Sequence, residues 1–221
     1  MSKRIVEAYI GEYAGGKSEN ALNRALELAG LGRKVTLVDF DIVEPVYTLR
    51  PIQNELTARG VTVIAWKTRD TLGLGEAGTT LKPGARWALK HQGDIILDIG
   101  YGVGGARTLR LLEGADTDPD LQVIAVINIS RPMTATVEDI VEQVREMGRV
   151  NALLNNTHLS DETTAAVVQE GARVVAEAAK LLNLPVVASA AIAEVAKEIG
   201  LTDCMGNPVR SINRFMQKAF W

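Results

Sequence analysis

Between Ile10 and Glu19 the chain reads Gly11, Glu12, Tyr13, Ala14, Gly15, Gly16, Lys17, Ser18, which fits the pattern GxxxxGK[ST] at every fixed position. Each residue type has a task in holding phosphate. Gly11, Gly15 and Gly16 let the backbone curl so that its N–H groups turn inward onto anionic oxygens, Lys17 reaches terminal phosphates, and the Ser18 hydroxyl can ligate Mg2+. The alternative is a Gly-rich turn that packs tightly and binds nothing. The flanks favour phosphate, because an apolar strand (Ile5, Val6, Ala8, Ile10) runs into the loop and a helix runs out of it.

Three carboxylates stand where the chemistry of a bound triphosphate would use them. VTLVDFDIVEP places Asp39 at the end of the second strand and Asp41 two residues on, where one acid can hold a metal-bound water and the other can orient an attacking water. In DIILDIGYGVGG, Asp98 follows three apolar residues as a metal-linked acid does, and Gly100, Gly102, Gly104 and Gly105 form a loop able to reposition its backbone around a terminal phosphate. The bland readings are that Asp39 and Asp41 cap the next helix and that Asp98 is an exposed acid in a turn.

These residues must be positioned by regular elements, and the hydrophobic pattern supplies them. Ala21, Leu22, Ala25, Leu26 and Ala29 recur at helical spacing, with Gly30 and Gly32 at the expected stop. Apolar, β-branched runs at Ile5–Ile10, Val35–Val38, Val61–Ala65, Ile95–Leu97, Val123–Ile127, Ala152–Leu154 and Val186–Ala188 alternate with helical stretches. The pattern predicts an α/β fold with a mainly parallel, roughly seven-stranded sheet and helices on both faces. Ligands of such sheets bind beyond the strand carboxyl ends, and polar or glycine residues collect there: 11–18, Asp39 and Asp41, 98–105, 128–131 and 155–158. Residues 1–221 are read as one nucleotide-binding domain. The loop from Thr68 to Thr80, with Gly73, Gly75 and Gly78, is expected to be its most flexible segment.

GEYAGGKS, VDFDIVEP and DIILDIGYGVGG together resemble the MinD and ParA class of deviant-Walker ATPases, over most of the chain. VDFDI is similar to the MinD pattern, and the spacing of Asp39, Asp41, Ile42 and Pro45 is also similar to the Mrp group of iron-sulfur carrier ATPases. The resemblance implies that ATP and Mg2+ are the cofactors, that Lys17 and Ser18 contact phosphate and metal, and that Asp41 is the switch acid near the hydrolytic water. It implies that Asp98 holds Mg2+ through water and that Asn156, or its neighbour Asn155, reads the adenine. An asparagine amide suits adenine N6 and N7, and the guanine-reading NKxD pattern is absent because His158 occupies its acid position. Asn155 and Asn156 could equally cap a loop. The family further implies an ATP-dependent homodimer acting on a partner protein.

The chain departs from this family where most relatives carry KGG, whose lysine crosses the dimer to the partner's phosphates. Here Glu12, Tyr13 and Ala14 stand instead. A carboxylate beside a triphosphate is repelled, by ~4 kcal/mol for unit charges ~4 Å apart at an effective dielectric of 20. Glu12 therefore either points away or pairs with a cation such as Arg50, Arg107 or Arg131. Glu19 replaces the small hydroxyl residue usual after Ser18, and slow hydrolysis is expected. Relatives such as dethiobiotin synthetase lack the signature lysine and remain active, which keeps a small-molecule enzyme as an alternative beside a nucleotide-responsive module.

Composition narrows the setting. The 221 residues carry 47% hydrophobic and 23% charged side chains, ordinary for one large core, and the net charge of -3 gives no general attraction to nucleic acid. One cysteine, Cys204, cannot form an intrachain disulfide, and no run approaches the ~18 apolar residues of a membrane span. A cytoplasmic setting is expected. In VRSINRFMQKAFW, Ile212, Phe215, Met216, Ala219 and Phe220 form one helical stripe. It is read as a short amphipathic helix that either docks on the domain or lies on a membrane surface, the docked form being the commoner. His91 and His158 are too isolated for a metal site, and Trp66 and Trp87 are expected to pack in or near the core.

Overall fold

The computed structural model describes residues 3–41, 49, 52–65 and 81–215. Among these, eight strands form a single sheet: β1 Val6–Gly11, β2 Val35–Phe40, β3 Val61–Ile64, β4 Asp94–Ile99, β5 Leu121–Ile127, β6 Ala152–Asn155, β7 Val186–Ile192 and β8 Val209–Ile212. Every pairing is parallel, in the order β3-β2-β4-β1-β5-β6-β7-β8. The helices are α1 Lys17–Gly30, α2 Gln53–Ala58, α3 Pro83–Arg86, α4 Gly102–Arg107, α5 Val137–Met147, α6 Ala165–Leu182 and α7 Ala193–Ile199.

Parallel strands can be joined only by crossovers, so each face of the sheet is covered and the strands read as near-continuous apolar runs. β1 is buried at all six positions. Its alternating residues feed two cores. Val6, Ala8 and Ile10 pack with Ala106 of α4, Ile140 and Val144 of α5 and Val175 of α6, whereas Tyr9 packs on the opposite face with Ala21, Leu22 and Ala25 of α1. The chain moves outward from β1 to β2 and β3, returns through β4, and then runs the other way through β5 to β8. That reversal lies beside β1, where the loops diverge and leave a crevice.

A buried polar set fixes α1 against the sheet. Arg24 of α1 donates to Glu7 of β1 at 3.1 and 3.2 Å, the Tyr9 hydroxyl donates to Glu7 at 2.8 Å, and Arg210 of β8 donates to the Tyr9 oxygen at 3.5 Å. Burial and the Glu7 carboxylate push the Tyr9 hydroxyl far above its ordinary range, so it remains a neutral donor.

Two expectations need correction. The C-terminal stripe does not begin as a helix: Val209–Ile212 is the parallel edge strand β8, paired to β7 with Ser189 opposite Val209 and Ile192 opposite Ile212. Sheet pairing overrides a spacing of three between Ile212 and Phe215 that a helix would also explain. Residues 216–221, with the remainder of the stripe, lie outside the described residues. Trp87 is not packed in the core. It is 42% exposed, with the Lys90 ammonium 4.2 Å and the Arg86 guanidinium 5.5 Å from its ring. Trp66, Arg50, Ile42, Pro45 and the Thr68–Thr80 loop also fall outside the described residues.

Candidate functional site

The phosphate-loop segment leaves the carboxyl end of β1 and enters α1 through Gly16, whose left-handed φ of 91° a side chain would strain. No side chain caps α1. Thr136 and Thr164 cap α5 and α6 by accepting from Asp139 N and Val167 N, whereas α2, α3, α4 and α7, like α1, have no side-chain cap. A helix N-terminus that opens behind a glycine loop suits an anion. Two glycines are required by contact as well as by φ. A Cβ on Gly11 would lie 2.5 Å from the Val126 carbonyl oxygen of β5, and one on Gly16 would overlap the Asn156 amide.

Three side chains from later in the chain hold the loop. Asn156, 4% exposed after β6, donates to the Gly15 carbonyl at 2.9 Å. His158 is hydrogen-bonded to the Ala14 backbone, and its Nδ1 accepts from Ser160 N at 3.4 Å. Burial, with the Arg131 cation adding, pushes its imidazole below the ordinary range and keeps it neutral. Gln143 of α5, also 4% exposed, donates to the Glu12 carboxylate. Glu12 is thereby turned toward α5, and of the two alternatives read from sequence, pointing away or pairing with a cation, its hydrogen bond goes to a neutral amide. Lys17, 7% exposed, folds its ammonium onto the Glu12 carbonyl at 3.1 Å and 6.0 Å from the Tyr101 ring, which Tyr13 meets edge-on at 5.4 Å.

The acids converge across neighbouring strands. Asp39 of β2 and Asp98 of β4 stand opposite one another in register, and the Asp41 N–H donates to Asp39 at 3.2 Å. Asp98 is 2% exposed, and its Oδ1 is buried without a hydrogen-bond partner among the described residues. Burial pushes its carboxyl up to about 8; Asp39 adds to the rise, Ser18 and Lys17 oppose it, and Asp41 adds again. Among the described residues no group of three or more His, Cys, Asp or Glu is placed to hold a metal unaided. The orphaned Asp98 oxygen, the flanking Asp39 and the Ser18 hydroxyl fit a divalent cation that takes its other ligands from phosphate and water.

Asn155 has a different fate. It is fully buried, donates to the Val168 carbonyl at 3.0 Å and Ser189 Oγ at 2.8 Å, and accepts from Thr157 N and Oγ1 at 3.1 and 2.7 Å. Its capacity is spent on the fold, and Ser189 passes the network on to Asp203 at 2.7 Å. Asn156, by contrast, lines a cavity of about 300 Å³ that runs from Tyr13, Lys17 and Ser18 at the loop to Ala190, Ala191 and Ile192 at the end of β7, Ile212 at the end of β8, and Arg214. Asp41, Glu19 and Tyr101 also line it. The sequence reading missed Gln143, Thr157 and Arg214. Gln143 sits inside an ordinary amphipathic helix and Arg214 within the segment read as helix, so neither carries a motif.

No family model matches this chain, and no curated protein matches it. Solved structures do. The chloroplast FtsY of Physcomitrella patens matches with a TM-score of 0.52 at 17% identity over 100% of this chain and 64% of that one. The signal recognition particle receptor FtsY of Elizabethkingia anophelis, in complex with GDP, gives 0.55 at 17% identity over 100% and 63%. A nucleotide-binding protein from Archaeoglobus fulgidus in complex with ADP gives 0.52 at 14% identity over 87% and 84%. The chain therefore spans less than two thirds of the length of either FtsY chain. With its parallel sheet and its loop between β1 and α1, the fold is that of the P-loop nucleoside triphosphatases. No described helix is long and apolar enough to cross a membrane.

Proposed function

We propose that this chain is an ATP-binding P-loop switch ATPase of the MinD and ParA type, acting as a single domain in the cytoplasm and pairing with a second copy when ATP is bound. The observation that carries the reading is the glycine loop leading into α1, with Lys17 and Ser18 lining the cavity, and behind Ser18 the buried, orphaned Asp98 in register with Asp39. Gly11 to Ser18 would surround the phosphates, with Lys17 reaching the terminal one. Ser18, Asp39 and Asp98 would hold Mg2+, which neutralises charge on the triphosphate. Asp41 would orient the attacking water, and Asn156 would offer its amide to the base. The neighbours crystallised with ADP and with GDP support a nucleotide in this fold, and the absence of an acid at His158 supports adenine over guanine.

A second reading, a nucleotide-responsive module that turns over little ATP and controls a partner by its bound state, is favoured by one contact. Gln143 holds Glu12 where relatives present a lysine to the other subunit. Phosphate release measured against protein concentration separates the two. Release per chain that rises with concentration, together with a doubled mass in solution scattering on adding a nonhydrolysable ATP analogue, supports the dimeric ATPase. ATP binding with no release and no change of mass supports the module.

A further inference from the structure

The cavity has two chemically unlike ends. Lys17 and Ser18 of the loop and Asp41 after β2 lie at one end, whereas Ala190, Ala191, Ile192 and Ile212 form an apolar wall at the other. That second wall is completed by the residues after β8. Asn213 and Asn23 of α1 exchange two hydrogen bonds of 2.8 Å, and the Phe215 N–H donates to the Glu19 carboxylate at 3.0 Å. Phe215 is buried, with the Arg59 guanidinium 5.3 Å from its ring. Arg214 is thus held between two anchored neighbours; it lines the cavity, and its guanidinium pairs with the exposed Asp161 of the 3-10 turn Ser160–Glu162 that follows β6.

We infer that Arg214 grips the nucleobase, its planar guanidinium stacking on a purine ring laid against Ala190, Ala191, Ile192 and Ile212. The inference rests on the nucleotide reading of the cavity. Apolar walls accept a flat heteroaromatic ring and refuse phosphate, which fixes which end of a nucleotide goes where. A guanidinium is planar and weakly hydrated, and it stacks on bases without needing a particular base edge. Asp161 balances its charge, so it is held as a plane rather than offered as a free cation to the phosphates. Glu19 and Asn23 then act as positioning residues, and Glu19 stands where relatives have a small hydroxyl because it anchors the segment that carries Arg214.

The test compares the full chain with its Arg214→Ala and Arg214→Lys variants for affinity toward Mg-ATP and toward Mg-tripolyphosphate, which has no base. Arg214→Ala should weaken ATP about tenfold, as loss of a stacking partner does, while tripolyphosphate changes less than about twofold. Arg214→Lys keeps the charge, loses the plane and should not restore ATP affinity. Equal losses for both ligands, rescue by lysine, or unchanged ATP affinity in Arg214→Ala would each overturn the stacking role. If the unaltered chain binds neither ligand, the nucleotide reading fails and this inference with it. Tripolyphosphate bound by the variants also shows that they are folded.

Discussion

Gln143, buried on α5, donates its side-chain amide to the Glu12 carboxylate at the second position of the phosphate loop, 131 residues away in sequence. A loop that must be reshaped around phosphate is thereby tied to a rigid helix. The tie is made by a neutral donor, so the negative charge of Glu12 persists beside the phosphate site.

Glu12→Gln should therefore bind Mg-ATP several-fold more tightly than the parent at low salt. The gain should shrink in 0.5 M salt, where the Debye length falls to roughly 4 Å. Titration at two ionic strengths checks this, and an unchanged or weaker affinity at low salt would mean that Glu12 faces away from the bound phosphates.

Asp98 gives a pH signature. Its folded pKa lies well above the unfolded one, so its contribution to stability is fully present below the unfolded value near 4 and is lost as pH rises toward about 8. Without ligand, Asp98→Asn should melt higher than the parent at pH 8.5, by about 2–4 °C per kcal/mol recovered, and the gap should close toward pH 5. The same variant should gain less from Mg-ATP than the parent does, because the cation loses a carboxylate.

His158 acts in the opposite window. Its folded pKa is depressed, so the stability it contributes is present above the unfolded value near 6.5 and is lost as pH falls through the folded value. Between pH 7 and pH 5 this loss opposes the Asp98 gain, so the melting temperature of His158→Gln, measured without ligand, should rise relative to that of the parent as pH falls. A difference between the two that does not change with pH would remove His158 as a source of pH dependence.

Gly171 reverses the usual rule for helices. Alanine in place of glycine normally steadies a helix by about 1 kcal/mol, and Gly30→Ala in α1, with nothing within 4 Å of the added methyl, should follow that rule in sign. At Gly171 in α6 the same methyl would overlap Thr157 Oγ1 and stand 2.6 Å from Asn155 Oδ1. Gly171→Ala should cost about 2 kcal/mol by overpacking this buried polar network, and calorimetric melting of the two variants should show shifts of opposite sign.

The parts of this molecule that were legible in the sequence are those written in local chemistry. The glycine loop, the lysine and serine behind it and the three acids at or just after strand ends announced themselves by type and spacing, and the seven apolar runs all became strands. β8 was hidden because Val209–Ile212 is short and half-exposed at the sheet edge, and its spacing to Phe215 mimics a helix. Gln143, Thr157 and Arg214 were hidden for another reason. Their roles come from what the fold brings to them, such as a loop carboxylate 131 residues away, and no local pattern records a partner that distant. Asn155 and Asn156, adjacent and identical in type, part company only because one side chain turns into the β6–β7 network and the other under the loop.

The most direct test of a nucleotide at this site is calorimetric titration of the full chain with Mg-ATP, repeated on Lys17→Ala, with melting temperatures taken on the same samples. Saturable binding of one nucleotide per chain is expected, with stabilisation of ~2.7 kcal/mol once ligand reaches a hundred times its Kd and neither effect in the variant. No heat and no shift at millimolar Mg-ATP or Mg-GTP in the unaltered chain, or an undiminished response in Lys17→Ala, would contradict a phosphate loop that holds nucleotide.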